Sequence, residues 1–343
     1  MFHRSTILIL TIGLTACAAS SDPSQAVPSL TPPTGNIEIP TIQNTVTSET
    51  PAPQRTQDVY EDNLHLFDYD MGQPVSITEN SIEQEEGYSL HDISYPSPMG
   101  GDVTAYLLVP EGSGPFAGIL LMHGSSGSRE SLLPLAKDLV LTGAVVMTIS
   151  GPAARTPNRD WIHFTVQDRE EQIQLIIDLR RGVDVLSQLP NVDSVRIGYI
   201  GYSYGAAMGG LLAGVEHRIR AYGLMVGDGG LVTHFMEDGK PVGGFETLPA
   251  GMRETWLKAM EPIDSIHYVS HAAPSWLYFQ NARSDTLVSE ADALAYQEAG
   301  SLPKRVQWYD SGHGLPAVAY FDMVNWLAER IGIEDGKFKG PTQ

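Results

Sequence analysis

The chain has 343 residues, 42% of them hydrophobic, which is ample for one large core or two modest ones. Lys and Arg number 21 against 41 Asp and Glu, so the formal net charge is −20; that field repels phosphate backbones and excludes nucleic acid as an expected partner. The single cysteine, Cys17, excludes an intramolecular disulfide and a Cys/His zinc site. No metal or cofactor is expected.

Residues 1–16 read as a signal peptide. His3 and Arg4 give a positive start, and Ile7 to Leu14 is an apolar stretch too short to span a bilayer as a mature helix. The stretch ends in Leu14-Thr15-Ala16-Cys17, which resembles a bacterial lipobox. That resemblance implies a lipidated Cys17 and an exported protein, anchored to the cell envelope on its periplasmic or extracellular face. Residues 17–58 are rich in Ser, Thr, Pro and Gln and lack periodicity, so they are expected to be a disordered linker. A globular domain is expected over 59–335 and a flexible tail over 336–343.

Within the domain, Ser89 to Tyr95 and Val103 to Val109 read as an antiparallel pair. The next strands are continuous apolar runs, as expected where a strand is buried on both faces: Ala117 to Met122, Ala144 to Ile149, Arg196 to Ile200 and Ala221 to Val226. Ser275 to Phe279 and Arg305 to Tyr309 complete the set. Helices are expected at Ser131 to Leu141, Gln167 to Leu189, Tyr204 to Ala213, Glu290 to Glu298 and Ala317 to Arg330. Alternation of this kind predicts a mostly parallel central sheet with helices on both faces. Asp228 to Ala273 breaks the rhythm and reads as a lid-like excursion, with a short helix near Met252 to Met260.

Gly201-Tyr202-Ser203-Tyr204-Gly205 lies between a strand and a small-residue helix. Such a turn holds its serine in a strained conformation over a helix N-terminus, where developing negative charge is favoured. A helix-capping serine in a Gly-rich turn would look the same, so the partners decide. A serine hydroxyl becomes a nucleophile when a base takes its proton and a carboxylate orients the base. His313 follows the last strand in Asp310-Ser311-Gly312-His313-Gly314, and Asp285 follows the strand before it. Asp228, after Ala221 to Val226, is the competing acid. His217, His267 and His271 lack such a context. His123-Gly124-Ser125-Ser126-Gly127 follows the first buried strand and can aim backbone N–H groups at an oxyanion. The expected donors are the N–H groups of Ser125, with Ser126 as its rival, and Tyr204; the His123 imidazole is expected to brace the loop. Trp161, His163, Phe164, Phe235, Phe245 and Trp256 line the substrate pocket or form the core of the excursion.

Together these residues resemble the α/β-hydrolase superfamily, and within it the dienelactone-hydrolase-like family, over about residues 60–332. Phe67-Asp68-Tyr69-Asp70, Val109-Pro110, His123-Gly124 and Val195-Arg196-Ile197-Gly198 carry that resemblance beside Ser203. It implies the α/β-hydrolase fold and cleavage of small-molecule carboxylic esters or related acyl bonds through an acyl-enzyme, without metal or cofactor. Dienelactone hydrolases proper use a cysteine nucleophile, and here the position holds Ser203. The alternatives are a peptidase or amidase of the prolyl-oligopeptidase type, and a non-catalytic surface lipoprotein that keeps the fold. Oligomeric state and acyl specificity stay open.

Overall fold

The structure, a computed structural model, describes residues 54–156 and 160–340. Residues 1–16, Cys17 and the expected linker as far as residue 53 lie outside the described residues. The first element, α1 (Gln54–Asn63), crosses the expected start of the domain at 59. Tyr60 secures it: its hydroxyl donates to the Gly214 carbonyl at 2.9 Å, and its ring stacks on His271 at 3.6 Å.

β1 (Thr78–Glu85) is exposed along its whole length, and it pairs antiparallel with β2 (Tyr88–Pro96) across a turn where Gly87 has φ 88°. β2 and β3 (Asp102–Pro110) are the expected antiparallel pair, and both alternate inward apolar side chains. β4 (Phe116–Met122), α2 (Leu133–Val140) and β5 (Ala144–Ile149) follow. Every residue of β5, and all of β4 but Phe116, is buried, as the continuous apolar runs demand. α3 (Val166–Gln188) opens on a capping box: the Thr165 hydroxyl accepts the Gln167 N–H, and Asp168 accepts the Thr165 N–H at 2.9 Å. β6 (Val192–Tyr202), α4 (Tyr204–Val215) and β7 (Ile219–Met225) form the centre. After the excursion come β10 (Trp276–Ala282), α7 (Glu290–Ala299), β11 (Lys304–Tyr309) and α8 (Ala317–Ile331); the intervening β8 (Met236–Glu237) and β9 (Lys240–Pro241) form a separate two-stranded ladder.

The main sheet runs β1-β2-β3-β5-β4-β6-β7-β10-β11. β3 is antiparallel to β2 and β5; from β5 to β11 all pairs are parallel. One core layer packs α3, α4 and the excursion on one face, and another packs α2 and α8 on the other. The excursion is built as a solid cap. It holds α5 (Leu231–Phe235) and α6 (Ala250–Met260) around Phe235, Phe245 and Trp256, which are at most 4% exposed. Phe164 packs into this cluster, 4.9 Å from Phe235, and the Trp256 indole donates to Asp168 at the start of α3. Four of the six residues left open between pocket lining and excursion core thus serve as cap core.

The expected flexible tail needs correction at its start. Residues 335–337 form a 3₁₀ turn, and Phe338 is buried edge-on against Phe321 of α8, 5.2 Å away. An apolar ring that finds a partner extends the folded unit past residue 335.

Candidate active site

β4, β6, β7, β10 and β11 all end on one side of the sheet, where open α/β sheets place their sites. Ser203 follows β6 directly, at φ 54° and ψ −118°. That left-handed backbone is costly for a residue with a side chain, and strain of this kind gathers at functional positions. The turn closes only because its flanking residues lack side chains. A Cβ on Gly201 would strike the Gly205 carbonyl, and one on Gly205 would strike the Met122 carbonyl. The turn is braced from beneath as well. Tyr199 donates to the Gly205 carbonyl at 2.7 Å, Tyr296 donates to the Ala206 carbonyl at 2.8 Å, and both hydroxyls are buried.

Ser203 does not use its side chain to cap α4. Its Oγ instead lies 2.9 Å from His313 Nε2. Nδ1 of the same ring faces Asp285, 2.8 Å from Oδ2 and 3.0 Å from Oδ1. The three residues follow the ends of β6, β10 and β11. The Asp285 carboxylate is 4% exposed and the His313 ring 17%. Burial alone would raise the Asp285 pKa. The bond from His313 and the N–H groups of Leu287 and Val288 outweigh it and hold the carboxyl below its ordinary value. Tyr202 latches the histidine loop by donating to the His313 carbonyl at 2.7 Å.

The His123 loop approaches from β4. The Gly151 N–H donates to His123 Nε2 at 3.0 Å, so the ring carries its proton on Nδ1, which donates to the Gly124 carbonyl at 2.7 Å. Burial pushes the His123 pKa down, which suits a neutral brace. Gly124 brings the loop against Ser203: a Cβ there would sit 3.3 Å from the serine Cβ. A cavity of about 150 Å³ contains Ser203 and is bordered by Ser125 and Tyr204. Ser126, at φ 57°, borders only a neighbouring cavity of about 300 Å³, which shares Ser125, Trp161, Tyr204 and Leu231 with the first. As the first residue of α4, Tyr204 has an N–H with no helical acceptor behind it.

The competing acid has another partner. Asp228 Oδ2 pairs with His234 Nδ1 at 2.7 Å, and Oδ1 accepts the Gly230 N–H. Both residues border the Ser203 cavity. Nothing local in the sequence marked His234, because the pair forms only when the Gly229-Gly230 turn sets α5 beside the end of β7. Trp161 lines both cavities, whereas His163 lines neither. Among the described residues, no group of three or more His, Cys, Asp or Glu side chains is placed to hold a metal ion.

Strand order, crossovers and the serine turn define this chain as an α/β-hydrolase by fold, and solved structures agree. It superposes on an acetyl xylan esterase from Paenibacillus sp. R4 with a TM-score of 0.65 and 16% identity, covering 82% of this chain and 96% of that one. An S-formylglutathione hydrolase from Agrobacterium tumefaciens gives 0.56 at 14% identity, covering 74% and 100%. A dipeptidyl peptidase 4 from Porphyromonas gingivalis gives 0.56 at 16%, covering 71% of this chain but 36% of that one. In sequence, residues 73–242 match the family of FrsA-like esterases. None of the curated proteins compared matches.

Proposed function

We propose that this protein is a serine esterase for small acyl groups, with Ser203 as nucleophile. The observation that carries the reading is the unbroken row Ser203 Oγ, His313, Asp285, with contacts of 2.9 and 2.8 Å. In the first half-reaction Oγ attacks the acyl carbon while His313 Nε2 takes its proton. The negative charge on the former carbonyl oxygen meets the N–H groups of Tyr204 and Ser125. His313 then protonates the departing alkoxide, leaving an acyl ester on Ser203. Water, deprotonated by the same nitrogen, releases the acid and restores the serine. Asp285 holds Nδ1 and stabilises the imidazolium in both halves. The match of residues 73–242 to FrsA-like esterases supports an ester as the bond cleaved, and the cavity of about 150 Å³ at Ser203 favours short acyl groups.

Hydrolysis of p-nitrophenyl acetate and labelling by a fluorophosphonate probe test this with wild type and Ser203→Ala. Both should be lost in the variant, turnover by several orders of magnitude. Equal turnover by the two proteins would sink the assignment. An aminoacyl p-nitroanilide run alongside decides whether amides are cleaved too. We propose further that Cys17 is lipidated and tethers the enzyme to the cell envelope. Palmitate labelling of cells expressing the full chain should disappear in Cys17→Ser.

A further inference from the structure

The cavity at Ser203 is lined mainly by apolar side chains: Trp161, Ala207, Leu231, Leu287 and Val288. Beside Ser125, Ser203 and Tyr204, an acid–base pair, Asp228 with His234, interrupts that wall. The pair has the build of a placed device. Asp228 is only 4% exposed, and both of its oxygens are engaged, by His234 Nδ1 at 2.7 Å and by the Gly230 N–H. The backbone leading to it is held in an unfavourable state: Val226, a β-branched residue, sits at φ 49° with its N–H on the Gln280 carbonyl at 2.7 Å. The next residue, Gly227, lies so close to α4 that a Cβ would press on Ala206. With Nδ1 committed to Asp228, the polar atom that His234 has left is Nε2, which carries no hydrogen bond among the described residues. The ring is 29% exposed.

We infer that His234, oriented by Asp228, is a specificity-determining hydrogen-bond donor for the acyl group on Ser203, and that the preferred acyl group carries an acceptor oxygen on its chain. This rests on the esterase reading above and narrows its substrate class. Burial opposes charge on His234, but the Asp228 bond and the carboxylates of Asp228, Asp292 and Asp264 outweigh it and raise its pKa. A buried carboxylate 2.7 Å from Nδ1 favours the imidazolium, and in that form Nε2 donates. An aliphatic chain in the same place would strip water from Nε2 and return nothing. Discrimination against a substrate that lacks the matching polar atom has that origin.

The test uses methyl acetoacetate and methyl 3-methylbutanoate, in which a carbonyl oxygen on C3 of the first stands in place of a methyl group and a hydrogen in the second. The kcat/KM ratio of the two esters is measured by pH-stat at pH 6.5 for wild type, His234→Leu and His234→Gln. Comparing ratios between proteins cancels the intrinsic reactivity of each ester. The ratio should fall by about tenfold or more in His234→Leu, the range of a hydrogen bond from a charged group. His234→Gln, which keeps a donor, should retain part of it, with the change appearing mainly in KM. Thermal melts of the three proteins establish that each is folded. A ratio unchanged in both variants overturns this inference while leaving the esterase standing. Failure of wild type to hydrolyse any ester overturns both.

Discussion

Replacing Asp285 by Asn is the sharpest probe of the proposed chemistry. The asparagine keeps an oxygen for the Leu287 and Val288 N–H groups, so the loop after β10 should hold its shape. It removes the negative charge that faces His313 Nδ1 at 2.8 Å. In the transition state that ring is an imidazolium, and two unit charges about 4 Å apart attract by about 4 kcal/mol at an effective dielectric of about 20. Screening removes little of this, because the carboxylate is 4% exposed and the ring 17%. At about 1.4 kcal/mol per factor of ten, kcat should drop about a thousandfold. KM should barely move, since the lost interaction arises only as the proton is transferred. Steady-state hydrolysis of p-nitrophenyl acetate reads both constants. A loss of less than tenfold would refute the electrostatic argument. A larger loss from Asp228→Asn than from Asp285→Asn would move the acid to the end of β7.

Three further outcomes are expected. Gly205→Ala drives a methyl group into the Met122 carbonyl beneath the serine turn; overpacking of about 1–3 kcal/mol or more should lower Tm by several degrees and reduce soluble yield, and an unchanged melt would contradict the packing described. Tyr202→Phe frees the His313 carbonyl from its 2.7 Å latch; about 1 kcal/mol should be lost, seen as a Tm lower by roughly 2 °C and a severalfold drop in kcat at constant KM. Asp264, 4% exposed, caps α5 through the N–H groups of Val232 and Thr233 and the Thr233 hydroxyl; burial outweighs these donors and raises its pKa from 3.8 to about 7. The folded state then binds a proton that the unfolded chain has released, so this contribution to stability is full below about pH 4 and is lost as pH rises through about 7. Urea melts between pH 4 and 8 should show that decline in wild type and a flatter profile in Asp264→Asn.

What could be read from the sequence follows the strength of local signals. β4 and β5 are buried on both faces, so their apolar runs mark them to within one residue. Ser203, Asp285 and His313 are legible as candidates because each follows a strand and the fold orders nucleophile, acid and base along the chain. β1 left no trace, since all eight of its residues are exposed and no side chain reports which way it faces. The first half of α1, residues 54–58, reads as linker because the helix docks through Tyr60 and a histidine 211 positions later. The tyrosines under the serine turn, and the pairing of His234 with Asp228, depend on contacts that exist only once the chain is folded.

β1 has a consequence for how copies of this protein meet. It forms one margin of the main sheet, and its outer side offers a row of backbone donors and acceptors on which a foreign strand can grow. Glu79, Glu83 and Glu85 stand along that margin, on a chain whose net charge is already −20. At neutral pH each copy therefore repels its own kind where backbone pairing would be easiest. High salt screens that repulsion while the row of amides stays open. Storage in concentrated salt is thus the condition under which edge-to-edge polymerisation of this protein should begin.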